Sequence, residues 1–217
     1  MVSKRLYARA TIAAAMAALV LLLAITGCNT IGGPYEESFD DAGRWGTGSD
    51  VDKEGRVRDG RYEFLVKSEF GLFWTTAGEQ FADGVYEVEA TPLEGPLDNG
   101  YGMMFRVGDD ANAFYLFEVS ADGFVWIGLC EDGCSEETVL IEDGWFASEA
   151  VNEGLNVTNV LRVRAEQANL IFYVNDQEVG RVTDDSFQSG DIGLAVETFG
   201  EAGVLVAFDN FTVSPLE

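Results

Sequence analysis

The chain has 217 residues, with 38 acidic side chains against 13 Lys and Arg and not a single His. Without imidazole, His-based triads, His-ligated metals and imidazole acid–base steps are excluded. All 38 acids but only ten of the bases follow Cys28, a formal charge of −28 that repels nucleic acid and anionic lipid head groups. That surplus is compatible with cation binding or a salty medium, but neither follows from charge alone, and a solvated surface that keeps the domain soluble accounts for it.

Residues 1–27 read as a signal peptide. Lys4, Arg5 and Arg9 make a positive start, and Thr11 to Ala24 is an apolar run too short for a comfortable membrane span. The run ends in Ile25-Thr-Gly-Cys28, which resembles a bacterial lipobox. The resemblance implies cleavage before Cys28 and a diacylglyceryl group on its sulfur, so residues 28–35 become a lipidated tether. The expected location is the extracytoplasmic face of a bacterial envelope, with membrane contact through the lipid alone. Residues 36–217 then form one domain, a length that suits a single all-β fold.

Within that domain, Glu37 to Asp41 is a first strand and turn, and Trp45 sits in a Gly-rich loop. Val57 and Tyr62 to Val66 flank an Asp59-Gly60 turn, Leu72 to Thr76 carries Trp74, and Tyr86 to Thr91 is expected to stop at Pro92, which lacks a ladder donor. Then comes the clearest stretch, YGMMFRVGDDANAFYLFEVSADGFVWIGLC, with strands at Tyr101–Val107, Phe114–Val119 and Phe124–Leu129. Asp122-Gly123 marks a hairpin, Gly123 taking positive φ without a Cβ clash. The register this sets places Val119 opposite Val125, Phe117 opposite Ile127 and Tyr115 opposite Leu129, all on one apolar face.

Tyr101, Met103, Phe105 and Val107 should share that core face. The opposite face then carries Met104, Arg106, Phe114, Leu116, Glu118, Phe124 and Trp126, where a solvated sheet would be polar. Two readings stand side by side: a second buried face covered by a loop, or a binding groove to which Trp74 contributes from a neighbouring strand. Cys130 and Cys134 bracket Glu-Asp-Gly. Export permits a disulfide that pins this hairpin, and two thiols without His fall short of a four-ligand zinc site.

Farther on, Val139–Ile141, Asn159–Ala165, Leu170–Val174, Glu178–Val182, Ile192–Thr198 and Val204–Val213 read as strands, and Ser148 to Leu155 as a loop. Twelve or thirteen short strands with Gly, Asp and Asn turns and no helical period make a sandwich or barrel.

The order FDD, DGRYEF, YGMMFR, NAFYLFEVSADGF, NVLRV, FYVNDQEV, GDIGLAV and FDNFTV resembles the concanavalin A-like lectin/glucanase superfamily. It is most similar to the bacterial extracytoplasmic branch near the 3-keto-disaccharide hydrolase and laminin-G-like domains. The resemblance spans roughly Glu36 to Val213 and implies an all-β, two-sheet antiparallel jelly-roll sandwich with ligands on one sheet. It also implies a structural Ca²⁺ where first and last strands meet, with Glu37, the Gly60 carbonyl and Asp209 as ligands. Glucanases of the superfamily carry E-x-D-x-(x)-E on one strand. Glu87-Val-Glu89 is the nearest match, lacks the central Asp and closing Glu, and reads instead as the exposed face of an alternating strand. The expectation is a glycan- or envelope polysaccharide-binding lipoprotein without catalytic residues. The alternatives are a glycoside-active enzyme of the keto-disaccharide hydrolase type and a structural or protein-binding envelope module.

Overall fold

The computed structural model describes residues 33–41 and 43–216. The signal peptide, Cys28 and the tether as far as residue 32 lie outside the described residues. Sixteen strands follow one another: β1 (Tyr35–Glu37), β2 (Gly48–Ser49), β3 (Lys53–Arg58), β4 (Arg61–Val66), β5 (Phe70–Thr76), β6 (Gly84–Glu94), β7 (Gly100–Val107), β8 (Phe114–Ser120), β9 (Phe124–Glu131), β10 (Glu136–Val139), β11 (Phe146–Ala147), β12 (Asn159–Glu166), β13 (Asn169–Val174), β14 (Gln177–Thr183), β15 (Asp191–Phe199) and β16 (Val204–Ser214).

They form two antiparallel sheets. One has nine strands in the order β14-β13-β12-β6-β16-β4-β3-β2, with β1 also on β16; the other has seven in the order β10-β9-β8-β7-β15-β5, with β11 on β9. The last two strands go one to each sheet, β15 between β7 and β5 and β16 between β6 and β4, so the end of the chain closes both.

Alternation decides what lies between the sheets. Tyr115, Phe117 and Val119 of β8 pair with Leu129, Ile127 and Val125 of β9, the register expected from the Asp-Gly turn. Gly123 has φ 98° there, and its amide donates to the Ser120 carbonyl at 3.1 Å. From this sheet Phe105 and Phe117 meet Phe172 of the other, with ring centroids 6.2 and 5.3 Å apart. Such fully buried rings each contribute about 1.5–3 kcal/mol from area alone. At one end Trp45 packs on Phe39, Tyr62 and Phe211 and donates its indole N–H to the Tyr35 hydroxyl at 3.1 Å.

Two expectations need correction. β6 does not stop at Pro92 but runs to Glu94. Its ladder with β12 already ends at Ala90, and opposite Pro92 the ladder with β16 shifts register, so the missing N–H interrupts little. On β7, Val107 is not on the core face and Arg106 does not join the outer one. Arg106 takes φ 51°, and the pairing with β15 shifts between Asp191 and Gly193, so the bulge reverses the parity of the strand's end. Val107 packs in the outer cluster with Met104 and Phe114. The Arg106 guanidinium turns to the far end of the sandwich, where it donates to the Gln167 and Phe187 carbonyls at 2.9 Å each and pairs with Asp83 at 3.1 Å.

Candidate functional site

On the outer face of the seven-stranded sheet, strand alternation aligns Leu72 and Trp74 of β5, Ala195 and Glu197 of β15, Gly100, Gly102 and Met104 of β7, Phe114, Leu116 and Glu118 of β8, and Trp126 and Cys130 of β9. This face divides into two halves.

The half toward the Gly108–Ala113 loop is closed. Met104, Val107, Phe114, Leu116, Trp126, Cys130 and Ala195 are buried together, with Trp74, Ala111, Cys134 and Trp145 packed against them. The Trp74 and Phe114 ring centroids are 5.5 Å apart. Cys130 and Cys134 are joined in a disulfide, their Cα atoms 4.4 Å apart, which ties the β9–β10 turn to this cluster. A covered second face is therefore the right account of Met104, Phe114 and most of Trp126, which is only 6 % exposed.

The other half stays open. Trp145, from the segment between β10 and β11, stands against Phe199 edge to face with centroids 6.0 Å apart. The two rings border two adjoining cavities. One, of about 280 Å³, is completed by Asp98, Ser120, Asp122 and Phe124, and Phe124 is 37 % exposed. The other, of about 190 Å³, lies deeper and is completed by Leu72, Leu116, Trp126, Cys134, Glu137 and Glu197.

Beneath this second cavity is the most unusual group in the domain. Glu118 is wholly buried, and no amide, hydroxyl or basic group among the described residues donates to either of its oxygens. Burial pushes its carboxyl well above the usual range, and the charges of Glu197 and Glu137 push it further. Its nearest charged neighbour is the Glu197 carboxyl, which burial and then Glu137 raise to about 7. Two buried carboxyls acting on each other in this way cannot both ionise cheaply, so the pair keeps a proton above the ordinary carboxylate range.

The residues named from sequence thus separate. Glu118, Trp126 and Phe124 meet around the cavities, Trp74, Met104 and Phe114 belong to the closed half, and Arg106 lies elsewhere. Glu197, Glu137, Trp145, Phe199, Asp98 and Asp122 were missed as site residues. Glu197 had a signal: Gly193, Ala195 and Glu197 alternate with the inward Ile192, Leu194 and Val196, an acid on an otherwise small, apolar face. Glu87 and Glu89 are on the other sheet, half-buried, Glu87 near Arg162 at 3.5 Å and Glu89 accepting from Asn210 at 3.2 Å.

Of the expected calcium ligands, Glu37 pairs with Phe211 two residues past Asp209, but its Oε1 accepts the Phe39 amide at 2.9 Å. Gly60 turns β3 into β4 at φ 71°. Burial, then Glu89 and Asp40, push the Asp209 carboxyl up against the opposing effect of the Asn210 amide and Arg61. Among the described residues no three acidic or thiol side chains cluster closely enough to hold a metal. A cation here would rely on Asp209 and backbone oxygens.

No family model and no curated protein matches the sequence. Solved structures do match in fold. The carbohydrate-binding module CBM66 from Bacillus subtilis superposes with a TM-score of 0.63 at 21% identity, covering 79% of this chain and 96% of that one. A galectin-like protein of unknown function from the same organism gives 0.62 at 12% identity, over 83% and 94%. The Bacillus licheniformis β-glucanase gives 0.60 at 12% identity, over 85% and 99%. The fold these structures share with the chain is the two-sheet antiparallel jelly-roll sandwich that the sequence led us to expect.

Proposed function

We infer that this chain is a carbohydrate-recognising module, held at the bacterial envelope by the lipid on Cys28, and that it binds glycan through the open half of the seven-stranded sheet. The observation that carries this reading is the Trp145–Phe199 wall with Phe124 beside it and Asp98, Asp122 and Ser120 around the same cavity. Sugar rings present apolar CH faces that rest on aromatic planes, while carboxylates and hydroxyls take up the ring hydroxyls. A larger cavity of about 690 Å³ near Asp83 and Gln167 has no aromatic side chain in its lining and suits a sugar ring less well. The fold shared with a carbohydrate-binding module and with glucanases supports the reading.

Binding is favoured over hydrolysis by the acids themselves. A retaining glycosidase holds two carboxyls about 5–5.5 Å apart, both reaching the scissile bond. Glu118 instead is wholly buried and has no exposed atom surface with which to meet a substrate. Glycan-array binding by the purified protein, followed by reducing-sugar release on every hit, tests both points. Binding without release is the expected result. Sugar release that Glu118→Gln abolishes would establish the enzyme instead, and an array without hits would remove the carbohydrate reading.

A further inference from the structure

The deeper cavity has a charge that the protein does not balance. Two acids line it, Glu197 partly buried and Glu137 exposed, and the wholly buried Glu118 acts on Glu197 from behind the lining. The charged groups that act on Glu118 are Glu197 of β15 and Glu137 of β10, and on Glu197 the charged neighbour is Glu137; none is basic. The ten bases after Cys28 are engaged elsewhere. Eight are in ion pairs with other acids, Lys53 donates to the Trp74 carbonyl at 2.7 Å, and Arg61 acts on Asp209. A single retained proton relieves only part of the repulsion, and neither Glu118 oxygen has a hydrogen-bond partner among the described residues.

The walls around these acids are aromatic. Trp126, Trp145 and Phe199 line the same cavity as Glu197 and Glu137. A calcium or magnesium ion wants six or more oxygens, and no such donor cluster occurs among the described residues. An organic ammonium wants what is present: carboxylates for its N–H donors and indole faces for its charge. A neutral hydroxyl could hydrogen-bond there but would leave the charge uncompensated.

Resting on the reading of the adjoining cavity as a sugar platform, we propose that the site selects saccharides bearing a free amine, whose ammonium enters the cavity between Glu197 and Glu137 against Trp126 and Trp145. The ring then lies in the neighbouring cavity, on Trp145, Phe199 and Phe124, since the two cavities share their Trp145–Phe199 border. The amine therefore decides which sugar is kept, and the aromatic platform alone does not.

The test compares the glucosamine trisaccharide with its fully N-acetylated form by calorimetry on the detergent-solubilised full chain near neutral pH. Acetylation removes the charge and leaves the ring. The free amine should bind at least tenfold more tightly, and Glu197→Gln and Glu137→Gln should each reduce that preference. Both variants lose only like-charge repulsion, so melting curves should show them folded. Equal affinity for the two trisaccharides, or binding of neutral glycans alone, overturns the amine and leaves the sugar site standing. An unchanged preference in both variants means attraction to the acidic surface at large and also overturns it. No binding of either trisaccharide, together with an array without hits, removes both readings.

Discussion

Glu118 of β8 and Glu197 of β15 meet across an intervening strand, and what stands between them is glycine. Glu118 is level with Gly102 of β7 and Glu197 with Gly100, so neither position raises a side chain between the carboxyls. A Cβ on Gly100 would lie 3.0 Å from Glu118 Oε2 and 3.1 Å from Trp145 Cη2. The acid pair and the tryptophan wall thus share one gap in the floor of the sheet.

Gly100→Ala should for that reason disturb both at once. The extra methyl must displace the Glu118 carboxyl or the indole, and overpacking of this kind costs about 1–3 kcal/mol. Denaturant unfolding should show the loss, with a shifted Trp fluorescence maximum in the native state. A variant of unchanged stability and unchanged emission would mean that the carboxyl and the indole are not held together there.

The acid pair also sets a direction for pH. Both folded-state values lie above the ordinary glutamate value, Glu197 at about 7. The native state therefore binds more protons than the unfolded chain between roughly pH 4.5 and 7, and stability falls as pH rises through that window. Below it, both states are protonated and the penalty is absent. For Glu197 the difference is on the order of 3 kcal/mol. Glu197→Gln should flatten this part of the stability profile, and a slope identical to the parent's would contradict the buried pair.

Trp126 and Trp145 separate the closed half of the face from the open one. Trp126→Ala removes a ring buried against Leu116 and Cys130 and should cost about 3–5 kcal/mol. Trp145→Ala should cost less and instead abolish glycan binding. The reverse pattern, a stable Trp126→Ala without ligand binding, would restore Trp126 as the exposed platform.

How far the sequence could go is visible in these same residues. The β8–β9 hairpin was legible because Asp122-Gly123 fixes its turn and a slip by one residue would mix the faces. Arg106 was not, because one left-handed residue reverses strand parity and nothing in YGMMFRVGDD marks where that happens. Glu118 stood out as an acid on an apolar face, but its partner is on a strand distant in sequence, and only the closure of the sheet by β15 brings Glu197 beside it. Trp145 reaches the site from a segment between two short strands, a placement set by tertiary packing rather than by any local period.

The anchor is tested at a single atom. Cys28→Ser should leave an unprocessed precursor, since the peptidase that cuts at a lipobox acts on the lipidated cysteine, and the other two thiols are consumed in the Cys130–Cys134 disulfide. Detergent partitioning and globomycin sensitivity report the outcome. A Cys28→Ser protein still cleaved and still in the membrane fraction would rule out the lipid anchor.

A structural calcium would act at the opposite sheet, and chelation tests it. β1 lies on β16 with Glu37 opposite Phe211, and the β3–β4 turn at Gly60 leads into Tyr62, which pairs with Phe208. Backbone oxygens from two turns and the Asp209 carboxylate therefore come to one region. Asp209 is pushed up by burial and by Glu89 and Asp40, a setting that a dication relieves. Arg61 competes as a counter-charge, and Glu37 already serves the Phe39 amide. A bound ion at free calcium a hundredfold above its Kd would stabilise the fold by about 2.7 kcal/mol. In a chain of this size that corresponds to roughly 5–10 °C of melting temperature. EDTA should remove that increment from the parent protein, and Asp209→Ala should melt at the lower temperature with or without EDTA. A parent melting curve that EDTA does not move, with no metal found by elemental analysis, would leave the Asn210 amide and Arg61 to offset the acidic neighbours of Asp209.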